Sequence, residues 1–405
     1  MGRFTRRRSI FEEKDALRDD YEPESLEARD EELDAYTDAL QPVVDGWQPN
    51  NIFLYGKTGV GKTAATEYLL SELAADCRQY DDVDLSIVHV NCNTLNSSYQ
   101  IAVHLVNELR DPGRQISTTG YPEATVFDML YDELESIGGT VLIVLDEIDN
   151  IGTDDDILYE LPRARSNGYL ESVKPGLIGI SNNFAFRDQL SPKVKDTLCE
   201  EELHFSPYDA GELRQILRSR AELAIRDDAL DQDVIPLCAA IAAQDTGSAR
   251  QAITLLLRAG ELASNDDAEA IAESHVRTAR NVIETERVQE GMRQLTVHGH
   301  LVLLAVTAHA TRDETPVRMR DLYPRYRRYC DHLAVDPITK RSVHDHLGDL
   351  TMQSVLERHE RNAGARGNYY EYALEVPIAA ALDALEDVGS FDDIVADLRH
   401  RAPQS

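Results

Sequence analysis

Eight consecutive residues, Gly56-Lys57-Thr58-Gly59-Val60-Gly61-Lys62-Thr63, constrain this chain more than any other feature. They form a complete G-x-x-x-x-G-K-[ST] phosphate loop, which needs a strand before it and a helix after it. The apolar run Ile52-Phe53-Leu54-Tyr55 predicts the strand, and Ala64-Ala65-Thr66-Glu67-Tyr68-Leu69-Leu70 predicts the helix. Glycines let the backbone curl until its N–H groups converge on a polyphosphate. The helix N-terminus adds partial positive charge. In this arrangement Lys62 reaches the β- and γ-phosphates and the Thr63 hydroxyl holds Mg²⁺.

The loop requires an α/β sheet, and the chain has residues enough for it. At 405 residues, 42% of them apolar, it can bury two or three cores. Its five cysteines are scattered, without a CxxC pair. That argues against a disulfide framework and a zinc site, and fits a reducing cytosol. No apolar run approaches the ~18 residues of a membrane span. Arg3, Arg6, Arg7 and Arg8 precede acidic Glu12-Glu13 instead of an apolar core, so the N-terminus does not read as a secretory signal. A cytoplasmic protein, associated with the nucleoid if it binds DNA, is the expectation.

The net charge is −32, and only seven of the 41 basic residues are lysine. Such a surface repels nucleic acid at low salt. It also suits a salt-loaded cytoplasm, where the screening length is ~3 Å at 1 M. The acidity therefore reads as solubility chemistry and not as evidence about partners, with avoidance of nucleic acid as the alternative until local charge is examined.

Along the chain, residues 1–25 read as a polar, charged arm. Residues 26–40 read as a helix with Leu26, Ala28, Leu33, Tyr36, Ala39 and Leu40 on its apolar face. Pro42 and Pro49 then bracket the approach to the first strand. Further strands are expected at 86–92, 141–145 and 177–180, with helices at 63–75, 98–110 and 122–137. Val141-Leu142-Ile143-Val144-Leu145 has no polar alternation, so it should be covered on both faces, as in a parallel sheet. After Phe205 the pattern becomes helical, with an amphipathic helix around Leu213–Ala221 and two more near 230–243 and 247–263. From Leu295 it changes again: helices at 298–310, 317–333 and 339–350 precede a Gly-rich hairpin at 361–369.

Three groups beyond the loop carry chemistry. Asp146 and Glu147 follow the buried run directly, at the strand end where parallel sheets bind ligands. Asp146 would hold Mg²⁺ and Glu147 would polarise the attacking water. Asn182 or Asn183, closing the next strand, faces the same cleft or simply makes a turn, with Asn182 first in order. Arg250, after Gly247-Ser248-Ala249 in the helical domain, could reach a γ-phosphate and so couple nucleotide to domain angle.

Taken together, Tyr55–Thr63, Leu145–Asp149, Gly179–Asn182, Phe205-Ser206-Pro207-Tyr208 and Gly247–Arg250 resemble the archaeal origin-recognition initiator family. These are AAA+ ATPases related to the largest subunit of the eukaryotic origin recognition complex and to its helicase-loading cofactor. The resemblance runs from about Tyr21 to about Tyr370. It implies an α/β AAA+ parallel-sheet P-loop domain at 26–205 after an arm at 1–25, a small helical lid at 206–290 and a winged helix at 291–405. It implies that ATP or ADP is held by Gly56, Lys57, Thr58, Gly59, Val60, Gly61, Lys62, Thr63, Ala64, Asp146, Tyr208 and Arg250. Thr63 and Asp146 would be the Mg²⁺ ligands. Glu147, Asn182 as sensor 1 and Arg250 as sensor 2 would be catalytic. It also implies a DNA-touching insertion at 96–129, including Arg110, Arg114, Thr118, Thr119 and Gly120. Two positions depart from the family pattern. Lys193 stands where an arginine finger is expected, and lysine lacks the planar fork. Ser248-Ala249-Arg250-Gln251 replaces the usual Asp-Ala-Arg-Arg. Both point to a diverged paralogue with slow ATP hydrolysis.

In the last domain Asp336-Pro337 should start a helix with Val343, Leu347 and Leu350 inward. Lys340, Arg341, Ser342 and His344 lie on other faces, and some of them are placed to enter a major groove. Arg361 and Arg366 on the hairpin would reach a minor groove or the phosphates. Residues 316–372 hold ten Arg or Lys against eight Asp or Glu, a balance of +2, whereas the other 348 residues carry −34. That contrast favours DNA over a purely protein-docking winged helix. The implied partners are double-stranded origin DNA, the replicative minichromosome maintenance helicase and other copies or paralogues on DNA, with no membrane. An initiator is the leading reading. A nucleotide-gated DNA-binding regulator without helicase loading, and a clamp-loader-like remodelling ATPase, are the alternatives.

Overall fold

The computed structural model describes residues 10–21, 23, 25–198, 201–362 and 368–401. The N-terminal arginines 3–8, Glu22, Cys199, the hairpin tip and Arg366 lie outside the described residues. The chain divides into two compact units, Met1–Arg277 and Thr278–Ser405.

In the first unit helix α1 (Asp30–Val44) leads to strand β1 (Ile52–Gly56) and helix α2 (Lys62–Cys77). Strand β2 (Leu85–Asn91) is followed by α3 (Ser98–Leu109), α4 (Glu123–Ile137) and β3 (Thr140–Asp146). Then come α5 (Asp156–Arg163), β4 (Lys174–Ser181), α6 (Phe186–Gln189), α7 (Pro192–Leu198) and β5 (Glu201–Phe205). The strands form one sheet in the order β2-β3-β4-β1-β5, with every pairing parallel. All residues of β1 and β3 are buried, as unbroken apolar runs require. Gly179 in β4 makes the close packing between strands feasible: a Cβ there would meet the Phe53 ring at 2.6 Å. Asp146 stands opposite Ile180, so β1, β3 and β4 deliver Gly56, Asp146 and Ser181 to one end of the sheet.

Strand β5 was not expected from sequence. It is an edge strand in which Glu201, Glu202 and His204 are exposed and only Leu203 and Phe205 point inward. Helix α1 also differs: it begins four residues later than the pattern suggested and takes in Pro42 near its end.

Beyond the sheet lie α8 (Ala210–Ala224), α9 (Val234–Asp245) and α10 (Ala249–Asn265). Asp209 and Glu212 form a reciprocal capping box at the start of α8, and Ser248 caps α10. The described part of the N-terminal arm packs on these helices. Glu12 N–H donates to Ala224 O at 2.9 Å, and Arg226 N–H donates to Ile10 O at 3.1 Å. Ile10, Ala16 and Leu17 are buried, and Lys14 pairs with Glu261 at 2.7 Å. Gly260 is small because Phe11 lies over it: an added Cβ would sit 2.5 Å from the ring. The arm is therefore a strap across the helical domain. Helix α11 (Glu273–Arg293) carries the chain out of the first unit.

The second unit is built around α12 (Val297–Ala310), buried on all sides from Gly299 to His309. Strand β6 (Val317–Arg318), α13 (Met319–His332), α14 (Lys340–Met352), β7 (Leu356–Asn362) and β8 (Asn368–Leu374) follow, then α15 (Ile378–Glu386) and α16 (Asp392–Arg401). The strands form an antiparallel sheet in the order β6-β8-β7. Three helices with a β-hairpin are the parts of a winged helix, with α14 in the recognition position. The expected cap is corrected: α14 starts at Lys340, and Thr339 caps it by accepting from Ser342 N–H at 3.2 Å. Asp336 and Pro337 stand outside the helix. Among the described residues no helix is long and apolar enough to cross a membrane.

Candidate functional site

The ends of β1, β3 and β4 open into a cavity of 440 Å³ in the first unit. Its floor is the phosphate loop. Gly59 and Gly61 hold φ of +79° and +92°, the left-handed region that glycine adopts without strain. Both are also crowded from above. A Cβ on Gly59 would lie 2.1 Å from Ser248 Oγ, and one on Gly61 would lie 2.7 Å from Tyr208 Oη.

The loop's carbonyls are turned away and held. Lys62 Nζ donates to Gly56 O at 2.8 Å and to Lys57 O at 2.9 Å. Ala249 N–H, in the first turn of α10, donates to Gly59 O at 2.9 Å. Arg29 Nη2 donates to Val60 O at 3.0 Å. Each held carbonyl leaves the N–H of its peptide unit aimed the other way, because the unit is planar and trans.

Lys62 is only 4% exposed, and Nζ also donates to Asn182 Oδ1 at 2.9 Å. Burial is the largest influence on it and lowers its pKa to about 8, against the opposing pull of Asp146 and Asp149. Thr63 Oγ1 donates to Asp146 Oδ2 at 2.8 Å. The other Asp146 oxygen accepts from Glu147 N–H at 2.8 Å. Glu147 sits at φ +55°, which ends the strand and turns the residue into the cavity wall. Left-handed backbone at a non-glycine residue is uncommon, and it clusters at functional sites.

The alternative between the two asparagines is resolved by their partners. Asn182 lines the cavity, and its N–H donates to Asp149 Oδ1 at 3.2 Å. Asn183 makes a local turn, accepting from Ala185 N–H at 2.9 Å. Thr58, Gly59, Gly61, Lys62, Thr63, Ala64, Asp146, Glu147, Asn182, Tyr208 and Arg250 all line the cavity. Gly56, Lys57 and Val60 do not: they contribute through backbone, and the Val60 side chain is fully buried. Arg250 lies 3.8 Å from Asp19 of the strap.

Arg220 carries no sequence signal. It lies on α8 over the Tyr21 ring at 4.4 Å, and burial pulls its pKa below the usual arginine value. Leu26, Ile216 and Ile253 supply an apolar wall suited to a flat base. Arg29 is the largest omission, since it reads as an ordinary charge ahead of an acidic helix. The residues fit a nucleoside triphosphate with a divalent cation. The cavity has one apolar end and one end of N–H groups and ammonium, and a hydroxyl–carboxylate pair marks the place where Thr63 and Asp146 would share a metal.

Other expected contacts are redirected. Lys193 is half-exposed, with Nζ on Asp156 and 4.9 Å from the Tyr159 ring. Arg110 of the insertion is paired with Glu133 at 2.6 Å, with both side chains largely buried. In the second unit Arg341 is exposed on α14, and Lys340 lies 5.4 Å from the Tyr323 ring. His344, half-buried on α14, lies against β8, with Nε2 3.3 Å from Tyr372 Oη and its ring edge-on to Tyr370 and Tyr372. Arg361 pairs with Glu371 at 3.1 Å, a carboxylate it shares with Arg318.

A five-stranded parallel sheet with this loop, a carboxylate strand end, a polar sensor strand and a helical lid defines an AAA+ ATPase. Three family descriptions match the chain: "AAA domain" over 47–179, "Cdc6 AAA+ ATPase-type lid domain" over 214–281 and "CDC6, C terminal winged helix domain" over 290–384. An ORC1-type DNA replication protein (number 15) of Haloarcula marismortui is 60% identical over 96% of this chain and 95% of its own length. Another (number 10) of Halobacterium salinarum is 57% identical over 97% and 95%. Among solved structures, the Aeropyrum pernix ORC1 protein in complex with DNA superposes with a TM-score of 0.81 at 34% identity, covering 95% of this chain and 99% of that one. The chain belongs to the ORC1-type DNA replication protein family of AAA+ ATPases.

Proposed function

We propose that this protein is a DNA replication initiator of a halophilic archaeon, in which ATP acts as the switch for origin binding and helicase loading. The likeness to a DNA-bound relative over nearly the whole chain supports this reading most strongly. The locally basic charge of residues 316–372 supports it further. In this reading Lys62 and the loop N–H groups hold the β- and γ-phosphates, and Tyr208 and Arg250 close over them from the lid side. Thr63 and Asp146 hold Mg²⁺, which neutralises phosphate charge when bound. Glu147 accepts the proton of the attacking water, and Asn182 links that water's position to Lys62.

Hydrolysis is slow in this reading, because Lys193 is engaged by Asp156 on its own chain and offers no guanidinium to a neighbour. Arg341 and Lys340 approach the major groove, and Arg361 and Arg366 approach the phosphates or minor groove. The domains divide near residues 25, 205 and 290. The partners are origin duplex, the minichromosome maintenance helicase and further copies on DNA, in the cytoplasm at the nucleoid. Genome-wide footprinting in the source cell tests the reading. Enrichment at a replication origin that is lost with Lys62→Ala is expected. Sites confined to promoters would favour the nucleotide-gated regulator instead.

A further inference from the structure

We propose that Arg29 is a positioning residue of the nucleotide site, holding the Val60–Gly61 peptide unit so that the Gly61 N–H faces the phosphates. The inference rests on the nucleotide reading of the cavity. Arg29 is 2% exposed, which is rare for an arginine and calls for partners. Its Nη2 donates to Val60 O at 3.0 Å and to Ser206 O at 2.6 Å, and Nη1 pairs with Glu32. The guanidinium lies 3.7 Å from the Tyr208 ring centroid and 5.4 Å from that of Phe205.

These contacts join three segments, because Ser206 and Tyr208 share one connection. Val60 belongs to the phosphate loop. Ser206 belongs to the connection between β5 and α8, where the sheet gives way to the lid. Glu32 is on α1. Tyr208 presses its hydroxyl on Gly61, where any Cβ would collide at 2.7 Å. Gly61 is thus fixed twice by the same group, through the carbonyl before it and through the ring stacked on Arg29. The backbone bends to make this possible: Ala28, directly before Arg29, takes φ +59°. A left-handed alanine is strained and persists only where its surroundings over-determine it.

The geometry requires arginine. Holding two carbonyls and a carboxylate while stacking on a ring uses the planar fork, and the point charge of lysine does not reproduce it. Releasing Val60 O would free the peptide unit to rotate, so that its N–H no longer faces the ligand. The lost order falls on nucleotide binding, whereas Glu147 and Asn182 keep their own supports.

The test compares wild type, Arg29→Ala, Arg29→Lys and Lys62→Ala in 2 M KCl. ADP affinity, steady-state ATP hydrolysis and the nucleotide-free unfolding midpoint are measured. For Arg29→Ala, ADP dissociation and KM for ATP should rise about tenfold or more, with kcat within about threefold of wild type. Arg29→Lys should stay weak, and tens of millimolar methylguanidinium should restore part of the affinity of Arg29→Ala but not of Lys62→Ala. Wild-type affinity in both Arg29 variants overturns the proposal. So does a loss of folding in both, or a fall in kcat with KM unchanged, since each makes Arg29 something other than a positioning residue. Failure of the nucleotide reading itself shows separately, as wild-type protein that binds no ADP.

Discussion

Lys62 makes nucleotide affinity depend on pH in a range where few other groups titrate. Its ammonium is enclosed at 4% exposure, with Gly56 O, Lys57 O and Asn182 Oδ1 as acceptors. Burial outweighs the nearby Asp146, Asp149 and Glu147 and lowers the pKa from 10.5 to about 8, and Arg250 adds to the lowering. About nine-tenths of Lys62 is then protonated at pH 7 and about one-tenth at pH 9. A bound polyphosphate favours the ammonium, so binding at pH 9 must take up a proton. With the bound-state value above the range, affinity falls about tenfold between pH 7 and 9, or about 1.4 kcal/mol.

ADP titration calorimetry in 2 M KCl measures this directly. Repeating it in buffers of different ionisation enthalpy should show about 0.9 proton taken up at pH 9 and about 0.1 at pH 7. Lys62→Met should bind weakly with a flat profile. Stability of the nucleotide-free fold has the opposite sign. The folded value lies below the unfolded one, so the unfolded chain binds more protons between about pH 8 and 10.5. The Lys62 contribution therefore destabilises below this window and fades as pH rises through it. A flat affinity profile in wild type, or proton uptake equal at pH 7 and 9, would refute the assignment of Lys62 as a buried, phosphate-binding ammonium.

Other residues give independent checks. Glu147→Gln should lower ATP turnover about 10²–10⁴-fold with ADP affinity nearly unchanged, measured by phosphate release and calorimetry. Leu17→Ala, which removes a buried anchor of the strap, should cost about 2–4 kcal/mol by denaturant unfolding, whereas a polar, undocked arm would give almost none. Lys193→Ala should leave turnover within about twofold, because its ammonium is engaged by Asp156; a loss of tenfold or more would restore a role in trans. Arg341→Ala should weaken duplex binding by about 1–3 kcal/mol in a fluorescence anisotropy titration if it reads a base edge, and it should lower the salt slope by about one if it contacts a phosphate.

The sheet was legible because its central strands are fully buried and therefore read as unbroken apolar runs. Val141–Leu145 is an example, and β3 extends that run by one residue at each end. Edge strand β5 was hidden because Glu201, Glu202 and His204 face solvent and leave only Leu203 and Phe205 as a pattern. Asp146, Glu147, Asn182 and Arg250 were found from strand ends and motif order, and all line the cavity. The strap, Arg220 and Arg29 were not. Each acts across a long sequence separation, as when Arg29 meets Ser206, and neither periodicity nor local composition records such a contact. His344 and Arg361, read from their positions on α14 and the hairpin as facing nucleic acid, also meet neighbours on β8, Tyr372 and Glu371, that local pattern does not record.

The phosphate loop is held by groups that do not belong to it, and this has a thermodynamic consequence. Gly59 O is bound by Ala249 N–H of the lid, and Ser248 Oγ crowds the same glycine. Val60 O and the lid's connection at Ser206 share one guanidinium. The loop conformation that presents N–H groups to a polyphosphate is thus also the conformation that docks the lid. Whatever factor the docked lid adds to nucleotide affinity, bound nucleotide must return to lid docking, because the coupling between two equilibria is reciprocal. If nucleotide binds as proposed, the backbone hydrogen bonds of the loop couple it to lid position independently of any contact between Arg250 and a phosphate. Removing the Arg250 side chain should weaken that coupling without abolishing it, whereas displacing Ser248-Ala249 from Gly59 should remove it.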